Sequence, residues 1–195
     1  MNVPSAARWT AGLIARNKLI FGSIAVFAVA AIVVSLLTSS GTALPPAPAA
    51  AGFSVTALGA PSQHVSLSQY KDRPVIVNFW AQWCPDCETE TPLLASWYKQ
   101  QHGHVALVGL DENDSTAKAL TFAHAKGITY PLGSDPLTNV ASAYGIIALP
   151  QTFFLNAKHR IVERVFGAVT KADLAEGVRL MNSSGTPGEK VIQPS

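Results

Sequence analysis

Cys84 and Cys87 are the only two cysteines in a chain of 195 residues, and they stand three apart in Trp83-Cys-Pro-Asp-Cys87. Thiols one helical turn apart can share a metal, staple the chain or exchange electrons. A structural zinc takes four ligands. The chain offers five histidines, of which only His102 and His104 are neighbours, and no second CxxC or HxxxH accompanies them. A metal site is therefore a poor fit. A disulfide across so short a span closes almost no loop, so it adds little as a staple. A dithiol redox couple uses the spacing fully. It needs two sulfurs close enough to bond, with one open to attack.

The surrounding residues suit that chemistry. A helix is expected from about Pro85, with proline at its first turn. Cys84 then lies at the positive end of the helix, where free N–H groups favour its thiolate. Cys87, one turn further in, is expected to be shielded and to resolve a mixed disulfide formed on Cys84. Pro85 fixes the backbone between them and removes one N–H. Asp86 acts against the thiolate. A carboxylate about 7 Å away, at an effective dielectric near 40, costs it roughly 1 kcal/mol. A disfavoured thiolate makes the couple a weaker oxidant, which leans toward a reductase. Glu88 and Glu90 follow on the same expected helix, where acids near the N-terminus are favourable. Trp80 and Trp83 flank the pair, and Trp83 is a candidate apolar contact for a substrate beside Cys84.

These residues need elements to hold them. Val75-Ile-Val-Asn-Phe-Trp80 is a continuous β-branched and aromatic run, the pattern of a central strand buried on both faces. It delivers the cysteines to a strand–helix junction, where open α/β sheets place their sites. Pro92 falls inside the following helix and is expected to kink it. Phe53–Ala57 reads as a short strand and Val65–Tyr70 as a second short segment or a turn. His104–Leu110 is a second buried strand. Asp114 or Ser115 caps a helix to about Lys126, ended by Gly127. A short helix over Leu137–Tyr144, a hairpin of Thr152–Asn156 with Ile161–Gly167, and a helix from the capping box Thr170–Asp173 to about Met181 complete the domain. The order βαβα(α)ββα specifies an α/β fold, a central mixed sheet flanked by helices.

Charge divides the chain. Residues 1–18 hold Arg8, Arg16 and Lys18 and no acid, so the remaining 11 of the 14 basic residues face all 12 acids. No basic cluster marks the body, which argues against nucleic-acid partners. Residues 19–38 are almost wholly apolar and reach about 30 Å as a helix, the thickness of a bilayer core. With positive charge only on the N-terminal side, residues 1–18 are expected in the cytoplasm, 19–38 as a transmembrane anchor, and the rest outside. A cleaved signal peptide ending near Ala47-Pro-Ala49 is the alternative. Residues 39–52 are rich in proline and alanine and read as a linker. The folded domain is expected over 53–181, with a flexible tail over 182–195.

Taken together, the Val-Asn-Phe-Trp strand, the Cys-Pro-Asp-Cys motif, Pro92, and Ile146-Ile-Ala-Leu-Pro-Gln-Thr-Phe-Phe-Leu155 resemble the thioredoxin fold. Leu67–Trp80 and the extra segment after Leu110 are similar to the membrane-anchored TlpA/ResA/CcmG group of exported thiol–disulfide oxidoreductases. The resemblance covers roughly residues 53–181. It implies a cis Leu149–Pro150 bond facing the cysteines, which presents Leu149 to an extended substrate. A plain trans turn proline is the alternative. Thioredoxin carries an aspartate where this chain has Asn78. The ResA-like branch implicates a glutamate at the place of Glu90, so Glu90 becomes the candidate base for Cys87. Its alternative is an ordinary acid on the helix surface. No cofactor is implied. The implied partners are exported protein thiols and disulfides, such as apocytochrome c, and a membrane thiol–disulfide electron donor. An oxidase or isomerase using the same cysteines is the nearest alternative. A peroxiredoxin-like peroxidase fits less well, because Ala81 stands where that chemistry places Thr or Ser.

Overall fold

The structure is a computed structural model that describes residues 47–183 and the strand Lys190–Ile192. The basic tail, the apolar run over 19–38 and linker residues 39–46 lie outside the described residues. Among the described residues, no helix is long and apolar enough to cross a membrane.

The central run becomes strand β3 (Val75–Trp80), and all six of its residues are buried. Seven further strands join it: β1 (Ser54–Ala57), β2 (Ala60–Ser66), β4 (Ala106–Glu112), β5 (Leu132–Asp135), β6 (Gln151–Leu155), β7 (Ile161–Phe166) and β8 (Lys190–Ile192). They form one mixed sheet in the order β2-β1-β5-β4-β3-β6-β7-β8. β3 pairs parallel with β4 and antiparallel with β6. The helices are α1 (Pro85–Gln100), α2 (Thr116–Ala125), α3 (Asn139–Ala143) and α4 (Lys171–Met181).

The pleat of β3 sends alternate side chains into two cores. Val75, Val77 and Phe79 pack with Phe153, Leu155, Ala141 of α3 and Tyr144. Ile76 faces the other way, into Leu107, Phe154, Leu94 of α1 and Leu174 of α4. Tyr144 and Phe153, two aromatic residues near the proline loop, are therefore core residues, with ring centroids 5.1 Å apart and nearly perpendicular. Helices cover both faces, as the element order implies. α1 runs on through Pro92. The α4 start has its capping box: Thr170 N–H donates to Asp173 Oδ2 (2.8 Å) and Asp173 N–H to Thr170 Oγ1 (3.2 Å).

Several elements depart from the sequence reading. The strand expected over 104–110 lies two residues later, because β5 pairs alongside Gly109–Glu112 and carries the ladder past the apolar run. β5 itself, Leu-Gly-Ser-Asp, has little strand character and was not expected. The second segment begins at Ala60, forms a hairpin with β1, and ends in a 3-10 turn over Leu67–Tyr70. Packing also extends beyond 53–181 on both sides. Ala47 is buried in the core, Ile161 N–H donates to Pro48 O (2.8 Å), and Tyr144 Oη donates to Ala51 O (2.8 Å). The end of the expected linker is thus part of the domain. Within the expected flexible tail, β8 pairs parallel with β7.

Candidate functional site

β3 ends at Trp80, and four residues later Cys84 becomes the N-cap of α1, in extended backbone conformation. Its Sγ accepts from Cys87 N–H at 3.1 Å. The sulfur therefore occupies the position where a helix start offers unpaired donors. Pro85 takes the first helical position, and Cys84 and Cys87 are joined as a disulfide with their Cα atoms 5.2 Å apart. Cys87 is fully buried and Cys84 is 4% exposed. Exposure is thus confined to Cys84, and it is slight in the oxidised form. Both cysteines pack against Trp80, Ala81 and Ala119 of α2, with Leu149 at the margin. Pro85 and Asp86 face solvent.

The two tryptophans divide. Trp80 is buried and stacks on Phe122 of α2, centroids 5.1 Å apart. Trp83 is 53% exposed, and its Nε1 donates to Asn113 O at 3.3 Å. The loop after β4 also fixes the motif from beneath, since Gln82 N–H donates to Asp114 Oδ2 at 3.0 Å. Beside it, an open groove is lined by Gln82, Glu88, Phe122 and Lys126, with a 2.9 Å ion pair between Glu88 and Lys126.

Glu90 is not a surface acid. It is 2% exposed and lies on the same helix face as Cys87, one turn on. Oε1 accepts from Asn78 Nδ2 and Oε2 from Val169 N–H, both at 2.8 Å. Asn78 also donates to Thr152 Oγ1 at 3.0 Å. One buried carboxyl thereby joins α1, β3, β6 and the loop before α4. Burial dominates its titration and pushes Glu90 up to about 7. The two hydrogen bonds oppose that rise, and the Asp86 carboxylate adds to it.

Leu149–Pro150 is cis. Pro150 O accepts from Gly167 N–H at 2.9 Å, which anchors the bond to the end of β7. The Leu149 N–H and C=O have no hydrogen-bond partner among the described residues. They form a free edge next to the cysteine cluster. Ile147, two residues earlier, is 85% exposed.

Two acids were missed by the sequence reading. Asp111 and Glu112 extend β4 and are 1% and 6% exposed. Both Asp111 carboxyl oxygens and Glu112 Oε1 lack a partner among the described residues. Burial pushes each up to about 7, helped by the carboxylates of Asp114 and Glu112 for Asp111 and of Asp135 for Glu112. Asp111 is the register partner of Trp80, so it sits level with the strand end that carries the cysteines. The signal available was a pair of acids directly after the apolar run of β4, level with the end of a neighbouring central strand.

The chain matches the model of the AhpC/TSA family over residues 46–164. The thiol-disulfide oxidoreductase ResA of Bacillus subtilis (strain 168) is 29% identical over 127 residues, which is 65% of this chain and 71% of that protein. ResA of Bacillus thuringiensis (strain Al Hakam) is 29% identical over 111 residues, 56% of this chain and 64% of its own length. For that second relative, the matched part is thus just under two thirds. The crystal structure of a DsbF homologue from Corynebacterium diphtheriae superposes with a TM-score of 0.60 at 30% identity, covering 72% of this chain and 95% of that one.

Proposed function

The chain belongs to the AhpC/TSA family, has the thioredoxin-like fold and is a thiol–disulfide oxidoreductase similar to ResA; on that premise we propose that it is an anchored, extracytoplasmic reductase of exported protein disulfides. The observation that carries the exchange chemistry is the Cys84–Cys87 pair at the start of α1 with buried Glu90 one turn behind it. Apocytochrome c awaiting haem attachment is the substrate class that the ResA resemblance favours. Anchoring is supported by the uncharged apolar run over 19–38 with its basic N-terminal flank.

In the reduced form, the Cys84 thiolate attacks one sulfur of the substrate disulfide. A Cys84–substrate mixed disulfide forms, and a substrate thiolate leaves. Glu90 accepts the Cys87 proton. The Cys87 thiolate then attacks Cys84 Sγ, the Cys84–Cys87 bond closes, and the second substrate thiolate departs. Two electrons pass to the substrate, and its two thiolates take up two protons. A membrane thiol–disulfide donor restores the dithiol. On this reading Trp83, the backbone of Leu149 and Pro150 receive the substrate chain beside Cys84, a role that the exposure of Trp83 supports. Asp86 is the residue assigned to lower the potential.

Trapping tests the roles. Cys87→Ala in the full chain should accumulate mixed disulfides on Cys84, and Cys84→Ala should not. Trapping by Cys84→Ala instead would reverse the assignment. A potential as high as about −120 mV, that of a strong oxidant, would favour the oxidase reading over reduction.

A further inference from the structure

We propose that Arg164 is a positioning residue that clasps the loop 145–150 into a docking edge for extended polypeptide, so that protein disulfides are distinguished from small ones. The inference rests on the exchange reading above and deepens it.

Arg164 lies on β7 opposite Phe153. Its guanidinium sits over the Phe153 ring (4.8 Å to the centroid) and the Phe166 ring (4.4 Å). From there it holds both ends of the loop. Nη2 donates to Gly145 O and to Gln151 Oε1, each at 2.8 Å, and Nε donates to Gln151 Oε1 at 3.2 Å. Gln151, fully buried, passes the restraint back into the loop by donating Nε2 to Ala148 O at 2.9 Å. Residues Gly145, Ala148 and Gln151 are therefore tied to one planar cation whose own position is fixed by two rings. A guanidinium suits this task because its fork can serve two acceptors at once.

The clasp adds to the Gly167 N–H···Pro150 O bond and to the packing of Leu149 in holding the loop beside the cysteines. Among the described residues, the N–H and C=O of Leu149 beside the cysteine cluster have no partner, and Ile147 is exposed. An unpaired backbone edge recognises another chain by β-pairing, which depends on the edge being held at a fixed angle. A small disulfide needs only access to Cys84. The partners that Arg164 holds here, Gly145, Gln151, Phe153 and Phe166, do not include either cysteine. Loosening the clasp should therefore weaken protein docking and leave the sulfur chemistry as it was.

The test uses the full chain in detergent, with insulin as the protein disulfide under turnover with dithiothreitol as the recycling reductant, and dithiobis(nitrobenzoate) as the small disulfide in a single turnover of the pre-reduced chain. Arg164→Met keeps an apolar stem between the rings and deletes the donors. The expected result is a rise of about tenfold in KM for insulin, equivalent to roughly 1.4 kcal/mol. The kcat, the rate with dithiobis(nitrobenzoate) and the equilibrium with glutathione should stay within about twofold, since none of them depends on chain docking. Arg164→Lys, with one cation and no fork, should fall between. If Arg164→Met does not fold, Gln151→Met severs the same clasp from the other side and carries the same expectation. The proposal is overturned if insulin KM is unchanged in a folded variant, or if the small-disulfide rate falls in step with it. A wild-type chain that reduces dithiobis(nitrobenzoate) but not insulin would instead sink the protein-exchange reading, and the clasp with it.

Discussion

Glu90→Gln, examined first in the oxidised protein, isolates the cost of keeping an acid beside the redox pair. The carboxyl is raised from the ordinary 4.5 to about 7, chiefly by burial. Between those values the folded chain keeps a proton that the unfolded chain has released. The stability contributed is therefore full below pH 4.5, falls through the interval, and is gone above about 7. At about 1.36 kcal/mol per pH unit, that range corresponds to roughly 3 kcal/mol. Wild-type stability should drop by that order between pH 5 and pH 8 on account of Glu90 alone. The amide variant cannot titrate. Its NH2 must oppose either Asn78 Nδ2 or Val169 N–H, a cost that is the same at every pH. Asp111 and Glu112 titrate in the same range, but they remain in both proteins. The disulfide removes the thiols from the titration. Urea unfolding at pH 5 and pH 8 measures the difference directly. Parallel pH dependences in wild type and variant would refute the buried-acid account. In turnover, loss of the proposed base should slow closure of the Cys84–Cys87 bond by about 10²-fold and remove its rise with pH near 7.

Two further perturbations probe other parts of the argument. Asp86→His exchanges a negative charge for a group that can be positive beside the thiolate, so the potential should become less negative in a glutathione titration; no change would sink the electrostatic role of Asp86. Gly177→Ala adds a methyl on α4 that overlaps the Phe154 ring. Overpacking costs roughly 1–3 kcal/mol against a gain of about 1 kcal/mol in helix propensity. Phe154 is fully buried on an interior strand and cannot step aside, so the melting temperature should fall by about 5 °C; a higher one would show that the ring moves.

The chemistry was more legible than the architecture. Two cysteines at helical spacing with a proline after the first carry their meaning locally, whereas Glu90 becomes a candidate only through the family resemblance and its burial follows from the fold. β3 announced itself because six residues buried on both faces leave no polar break. β5 did not, because Leu-Gly-Ser-Asp becomes a strand only through its neighbours. Gly133 is required there for closeness: a side chain would run into Val55 and Leu110. Asp111 and Glu112 carry little signal, since acids ordinarily end a buried strand, whereas here β4 runs on through both of them beside β5. The Arg164–Gln151 clasp joins residues on facing strands, a relation that spacing along the chain does not encode. Ala47–Ala51 looked like spacer because small residues and prolines carry no periodicity, and their packing depends on backbone carbonyls that accept from Ile161 and Tyr144.

The amide of Asn78 spends both of its hydrogens, one on Glu90 and one on Thr152. That spending constrains which neighbouring sequences are reachable. An aspartate at 78 would set a second carboxylate against Glu90 at hydrogen-bond distance, and two acids so close cannot both ionise. Asn78→Asp alone should therefore be penalised, while Asn78→Asp with Glu90→Gln restores one acid and one amide and moves the base from α1 to β3. A lineage passing between the strand-borne and helix-borne arrangements meets a fitness valley at either single change. On this geometry the acid moves between strand and helix only by a paired substitution, not one residue at a time.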